Sequence, residues 1–257
     1  MWMEGRWPRA LVSLLLGVSG LLAVAGARER WWPTCRPGDF DTPGCLARQS
    51  DRFDYPAMSD PWVPVGRAAE LAGASYAALA LAVALLPWLL MRARPRVAAS
   101  AGLVLGGTLL PVAAALWLSG RAGEIVAVPL ASASALAGAL LWPVAAVAVV
   151  VAVHTHAGAR LSALQRGAQT LLAALLCLCS PLGQVAVGLL IAPVLLGYVS
   201  HDTTPWTEAV SGGLLVLAAV AAWLATGPRR RATPRPSTGT QPPLPVGRAS
   251  LRRTPTT

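Results

Sequence analysis

"RAAELAGASYAALALAVALLPWLLM", residues 67–91, decides the fold class. A helix rises about 1.5 Å per residue, so about 20 apolar residues are enough to cross the hydrocarbon core of a bilayer. The stretch has that length, and its two charged side chains, Arg67 and Glu70, lie at its beginning. It therefore predicts a transmembrane helix.

Other apolar runs of comparable length lie on both sides of this one. The whole chain fits the same pattern, because it is 55% hydrophobic and only 12% charged, about half the charged fraction of a soluble globular protein. We therefore expect an all-α integral membrane protein built as a six-span transmembrane helix bundle. The predicted spans cover residues 10–27, 67–91, 97–118, 125–153, 170–198 and 209–226.

The positions of the arginines predict the orientation of the spans. All 21 basic residues are arginine, and most fall on the cytoplasmic side if the N-terminus is inside the cell. Segments rich in arginine resist translocation, so this arrangement is the favoured one. We expect a multi-pass protein of the plasma membrane with both termini in the cytoplasm. The net charge of +10 does not indicate nucleic acid as a partner, because the arginines do not cluster on a folded polar face.

This orientation divides the chain into five segments. The loop after the first span faces the outside of the cytoplasmic membrane, and the last segment is a basic tail in the cytoplasm. The predicted segments are a cytoplasmic N-terminus (1–9), the first span (10–27), an extracytoplasmic loop (28–66), the remaining five spans (67–226) and the tail (227–257).

The first predicted span has two interpretations. Residues 10–27 could instead be a signal peptide, because Ala23, Ala25 and Ala27 offer small residues for cleavage. The apolar run is longer than the usual signal-peptide core, which favours an uncleaved anchor.

The tail is rich in proline, arginine, serine and threonine and has few apolar residues to bury, so we expect it to be disordered.

The extracytoplasmic loop contains "CRPGDFDTPGC", residues 35–45. Outside the cytoplasm thiols oxidise, so Cys35 and Cys45 are expected to form a disulfide that staples the loop. Thr42 followed by Pro43 is typical of a helix N-cap and first helical position, and predicts a short helix from Pro43 to about Arg52.

Asp39 and Asp41 form a D-x-D pair within the same loop. Two carboxylates at this spacing could contact a hard cation or another ligand, because Ca²⁺ and Mg²⁺ prefer oxygen ligands. The glycine and the terminal glutamate of a calcium-binding loop are absent, and neighbouring arginines can pair with the same acids. A solvated or salt-bridged surface is the favoured interpretation, and we predict no metal site and no cofactor.

Within the spans the polar candidates are Thr108, Ser180 and Gln184, and Pro181 interrupts the fifth predicted span. Interrupted helices can expose backbone groups to a substrate at the middle of a bilayer. The Gly102 to Gly106 spacing favours close helix packing as the simpler explanation for such positions. We expect no ionisable side chain in the deep interior. The acids at the outer helix starts, Glu70, Glu124 and Glu208, are explained by the helix dipole.

These features predict a non-enzymatic membrane component that uses its loop or a helix face to engage membrane lipid or another envelope protein. A transport protein, or the permease subunit of a complex, is the first alternative. An enzyme acting on a lipid-linked substrate, with Asp39 and Asp41 as cation ligands, is the second. No catalytic residue is predicted.

Overall fold

The computed structural model describes residues 6–55, 58–91, 94–157, 162–200 and 202–227. These residues form helices and loops and no strand, which confirms the predicted all-α class. A 3₁₀ turn at Asp51–Phe53 and a π-helical segment at Val187–Ile191 supplement the α-helices. The α-helices are α1 (Arg6–Trp31), α2 (Pro43–Arg48), α3 (Ala68–Leu90), α4 (Pro95–Gly107), α5 (Leu109–Ala122), α6 (Ala131–Ala157), α7 (Ala163–Leu178), α8 (Pro181–Ala186), α9 (Ala192–Leu196) and α10 (Thr207–Ala225).

Several helices are long and apolar enough to cross a membrane, which indicates a membrane protein. Five spans meet that description within the described residues, with α4 and α5 together forming one of them. A sixth requires the two halves Ala163–Leu178 and Leu182–Leu196, which meet at an angle of 84°, to count as one broken span or re-entrant loop. The chain therefore has five or six candidate spans.

The break between these two halves has a local cause. A proline lacks a backbone N–H and disfavours helix in the preceding residue, so a helix seldom continues through Ser-Pro. Ser180 takes an extended conformation, and its hydroxyl accepts a hydrogen bond from the N–H of Gly183 at 3.0 Å. The same hydroxyl donates to the carbonyl of Cys177 at 2.6 Å. Ser180 thus ends α7 and begins α8 in a new direction.

The helices pack as a closed ring. Contacts run from α1 to α3, from α3 to α4 and α5, from these to α6, from α6 to α7, and from α7 to α10, which packs on α1. The first and last spans are therefore neighbours. Arg9 of α1 donates to the carbonyl of Trp223 in α10 at 2.9 Å, so the start of α1 and the end of the antiparallel α10 also meet.

Small side chains let α1 approach its neighbours closely. A Cβ on Gly20 would lie only 2.5 Å from the carbonyl oxygen of Gly212, so any larger residue would push α1 and α10 apart. On the opposite side, Ser19 and Ser75 are buried, and each hydroxyl donates to the other's carbonyl at 2.8–2.9 Å. These contacts hold α1 between α3 and α10.

The Gly102 to Gly106 spacing serves packing, as predicted. A Cβ on Gly106 would lie 2.7 Å from the carbonyl oxygen of Ala80, and Gly102 is in equally close contact with Ala84. These glycines therefore bring α4 against α3.

Residues 32–55 and 58–67, here called the cap, cover one end of the bundle. Cys35 and Cys45 lie at disulfide-bonding distance, with the sulfurs 2.11 Å apart. Thr42 caps α2 as predicted, accepting from the N–H of Cys45 at 3.4 Å. The prediction that this helix reaches Arg52 is wrong, because α2 ends at Arg48 and the chain re-forms as the separate 3₁₀ turn.

The cap is fastened to the loop that precedes α10. The Phe40 ring contacts the Tyr198 ring, with centroids 4.9 Å apart. The Trp206 indole donates to the carbonyl of Cys35 at 2.7 Å, and Gln49 accepts from the hydroxyl of Ser200 at 2.5 Å. The predicted disordered tail lies outside the described residues, apart from Gly227.

Candidate functional site

A cavity of about 480 Å³ lies beneath the cap. Its walls are α1, α3, α10 and the segment that follows the break after α7. Charged and hydroxyl side chains line the end near the cap, and the deeper end combines aliphatic side chains with Gln184 and Ser211. The residues that line the cavity include Arg30, Asp54, Tyr55, Ser75, Tyr76, Leu79, Cys179, Gln184, Val185, Gly188, Leu189, Asp202, Thr203, Thr207, Glu208, Ser211 and Leu215.

Arg30 is the central charged residue at the end of the cavity near the cap, and its side chain is fully buried. Its guanidinium forms ion pairs with Asp54 of the cap and with Glu208 at the start of α10, the latter at 2.9 Å. It also stacks on the Trp31 ring, 4.2 Å from the centroid. We call Arg30, Asp54 and Glu208 the charge triad.

Each carboxylate of the charge triad has a second donor. The Thr203 hydroxyl donates to Asp54 at 2.8 Å, and the Trp31 indole donates to Glu208 at 2.9 Å. Burial raises the pKa of Asp54, although the positive charge of Arg30 and the hydrogen bond from Thr203 oppose that change. Charge-assisted hydrogen bonds therefore offset much of the cost of burying these charges, while the Nε–H of Arg30 has no hydrogen-bond partner among the described residues.

A second acidic pair lies at the mouth of the cavity. Desolvation, together with hydrogen bonding and repulsion from the neighbouring carboxyl of Asp51, raises the pKa of Asp202 to about 6. Both side chains are exposed. Among the described residues, no basic side chain forms an ion pair with either of them.

Tyr55 of the cap, next in sequence to Asp54, also lines the cavity. It is the last described residue before a short gap in the cap, and only 3% of its surface is exposed. Burial raises the pKa of its hydroxyl well above the usual value, so Tyr55 is neutral throughout the physiological range.

The deeper end of the cavity forms where the helix is broken. Gln184 of α8 lines it and accepts a hydrogen bond from the hydroxyl of Ser211 at 2.6 Å. Cys179, at the break, is 3% exposed and also lines it. The side chains of Val185 and Leu189 are 56% and 70% exposed, so they lie both on the cavity wall and on the outer surface of the bundle. Part of the cavity wall at this end therefore also belongs to the outer surface of the bundle.

The structure brings together part of the predicted intramembrane polar set. Gln184 lines the cavity, and Ser180 shapes it by turning the helix. Thr108 does not belong to it: its hydroxyl donates to the carbonyl of Val104 in its own helix at 2.9 Å, at the junction of α4 and α5. The Thr108 hydroxyl therefore bonds to the backbone of its own helix.

The predicted residues of the cap lie apart from the cavity. Asp39 and Asp41 are exposed and do not line it. In the described segments, no group of three or more His, Cys, Asp or Glu side chains is arranged to hold a metal. Cys35 and Cys45 are buried with Trp31 in a small apolar cluster beside the cavity.

The charge triad lies at the cap end of the bundle and not in the deep interior, and sequence reasoning did not bring Arg30 together with Asp54 and Glu208. Arg30 follows two exposed charged residues, Arg28 and Glu29, and reads as part of the loop. Helix α1 in fact continues to Trp31. The spacing of its inward residues Val12, Leu16, Ser19 and Ala23 alternates between four and three, and Arg30 continues that series seven residues later. This spacing was the available signal.

Comparison with known proteins gives no relative for this chain. No family model, no curated protein and no solved structure matches it. We therefore base the functional proposal on the chemistry of the cavity.

Proposed function

We propose that this chain is a non-enzymatic component of the plasma membrane that binds an amphipathic lipid-class molecule in the cavity beneath its cap. The observation that carries this proposal is the polarity of the cavity. Its end near the cap presents Arg30, Asp54 and Glu208, and its deeper end presents aliphatic walls beside the neutral Gln184 and Ser211.

The exposure of Val185 and Leu189 supports a ligand that arrives from the bilayer. Val185 and Leu189 border the cavity and face outward, in the part of the chain where α7 is broken. A hydrocarbon chain can pass from the membrane between such side chains without crossing water, and its burial stabilises the complex by about 0.8 kcal/mol per CH₂ group.

We further propose that six spans cross the membrane, with the cap outside and both termini in the cytoplasm. Asp39, Asp41, Asp51 and Asp60 all belong to the cap, whereas Arg6 and Arg9 lie at the opposite end of α1. Arginine near a span resists export, so the end with Arg6 and Arg9 is the cytoplasmic one. A disulfide between Cys35 and Cys45 is consistent with an exported cap.

The test is lipid analysis of the purified chain and two matched variants. The tagged protein is extracted from native membranes in mild detergent, and its lipids are identified by mass spectrometry. Gly188→Leu places a side chain in the cavity, since Gly188 lines it. Gly213→Leu is the control, because a Cβ on Gly213 meets no atom within 4 Å.

We expect the natural chain and Gly213→Leu to retain the same lipid-class molecule at about one per chain, and Gly188→Leu to lose it. Equal retention by all three proteins, or no retained molecule in any of them, would contradict the proposal. Retention is judged on monodisperse protein, so that a folding defect is not read as loss of binding.

A transport subunit is the second candidate, and the broken α7 supports it. Broken helices line substrate sites in many transporters. Stoichiometric recovery of an ATPase from the same purification would favour this candidate over a stand-alone binding protein. The exposed position of Asp39 and Asp41 lends no support to the enzymatic alternative.

A further inference from the structure

We infer that the ligand of this cavity is an amphiphilic cation, with a positively charged head at the mouth near Asp202 and a hydrocarbon portion in the deeper end. This inference rests on the proposed function, because it assigns a charge to the molecule that the cavity would bind.

The charges that line the cavity are unequal in number. Its described lining contains one basic residue, Arg30, and three acids, Asp54, Glu208 and Asp202. Arg30 compensates one unit of negative charge, yet it is shared between Asp54 and Glu208. The lining therefore carries a formal charge of −2 when its three acids are counted as carboxylates.

The arrangement of donors also disfavours an anionic head. Each terminal nitrogen of Arg30 already donates to a carboxylate, one to Asp54 and the other to Glu208, and its Nε–H, which has no hydrogen-bond partner among the described residues, lies in a fully buried side chain. A phosphate or sulfate would have to share Arg30 with these two carboxylates. It would also approach Asp202, whose like charge repels it.

A positive head meets the opposite situation. Asp202 and its neighbour Asp51 have no described basic partner, and Asp202 lines the mouth. A cation between them would relieve their repulsion, and a partly desolvated site strengthens such an attraction relative to open water.

The size and lining of the cavity select an organic cation over a metal ion. A volume of about 480 Å³ is in the range of small-molecule sites. The acids do not form a metal-ligand group with a third His, Cys, Asp or Glu in the described residues. Tyr55 and Tyr76 add aromatic rings to the wall, and aromatic faces attract ammonium groups. The aliphatic floor of Leu79, Leu189 and Leu215 then accommodates a chain.

The experiment measures equilibrium binding of radiolabelled octyltrimethylammonium to the full chain in phosphatidylcholine nanodiscs at pH 7.5, with empty nanodiscs as the blank. Unlabelled octyl sulfonate and octyl glucoside serve as competitors with the same tail and a negative or neutral head. Asp202→Asn removes charge at the mouth. Asp39→Asn is its matched control, because Asp39 lies in the same cap and does not line the cavity.

We expect saturable binding that Asp202→Asn weakens about fivefold, as the loss of about 1 kcal/mol of charge interaction would produce. Asp39→Asn should bind like the natural chain, and Gly188→Leu should abolish binding. Octyl sulfonate should compete at least about tenfold more weakly than unlabelled octyltrimethylammonium.

Equal competition by the three amphiphiles, or equal weakening by Asp39→Asn and Asp202→Asn, would overturn the cationic assignment and leave lipid binding standing. Binding that Gly188→Leu does not change, or no binding above empty nanodiscs, would also overturn it. The lipid recovery experiment decides the proposed function separately, because it depends on the retained molecule and not on this probe.

Discussion

Arg30 shows how one residue connects three parts of the molecule. A buried charge is costly, and it is tolerated only when good partners compensate its desolvation. Arg30 meets this condition by pairing with Asp54 of the cap and Glu208 of α10 while it belongs to α1 itself. The charge triad therefore fixes the position of the cap over the cavity.

Replacing Arg30 tests this role. Arg30→Met leaves two carboxylates without their common partner, so we expect the free energy of unfolding to fall by about 3–5 kcal/mol. Arg28→Met is the matched control, since Arg28 is exposed on the same helix turn. Thermal or denaturant unfolding in one detergent gives the measurement. Equal stability of the two variants would show that the charge triad does not hold the cap.

At the scale of elements, close helix contacts and one break define the space in which the cavity lies. Gly20 brings α10 against α1, and Ser19 binds α3 through Ser75 on the other side. The break at Ser180 then turns α8 out of the path of α7 and leaves the cavity between α8 and α10.

A single added methyl group tests the glycine contact. Gly20→Ala places a Cβ against the backbone of Gly212, so we expect it to destabilise the bundle by about 1–3 kcal/mol. Gly17→Ala, one turn earlier on α1, is the control. Its nearest atom would be the Ala219 Cβ at an ordinary 3.9 Å, and alanine is the better helix former. Gly17→Ala should therefore match or exceed the natural stability. The midpoint of thermal unfolding in one detergent gives the measurement. If the midpoint of Gly20→Ala is not lower than that of Gly17→Ala, the close contact between α1 and α10 does not contribute to stability.

Sequence reasoning found the break and missed most of the cavity, for a physical reason. Hydropathy and the Ser-Pro dipeptide at 180–181 act within one stretch of chain, so they can be read along it. Membership of the cavity depends on which helices become neighbours. Thr108 and Gln184 are both polar residues in apolar runs, but only Gln184 lies on the helix that faces α10. Arg30 and Asp54 become partners through folding of the cap, and no local pattern encodes that pairing.

At the scale of the whole molecule, the ring of helices gives the two ends of the bundle different characters. One end has the cap, the charge triad and the mouth of the cavity. The other end has the start of α1 and the end of α10, joined through Arg9 and Trp223. A ligand bound at the mouth would therefore lie at the end of the bundle opposite to both ends of the described chain.

This polarity predicts the outcome of reporter fusions. Alkaline phosphatase is active only when exported, so a fusion after Asp60 in the cap should be active and one after Gly227 inactive. A fluorescent protein that folds only in the cytoplasm should give the reverse result at the same two positions. Phosphatase activity only after Gly227 would show the orientation opposite to the proposed one. Activity at both positions would contradict an even number of spans.

The contact between α1 and α10 also constrains how the protein is made. Helix α1 is made before α10, on which it packs, so Arg30 obtains Glu208 only after α10 has been made. Until translation reaches α10, the nascent chain holds an incompletely neutralised arginine and an uncovered glycine surface at Gly20. The final closure of the ring is therefore a late biosynthetic step. A chain terminated before Thr207 would present these features to the proteases that remove unfinished membrane proteins.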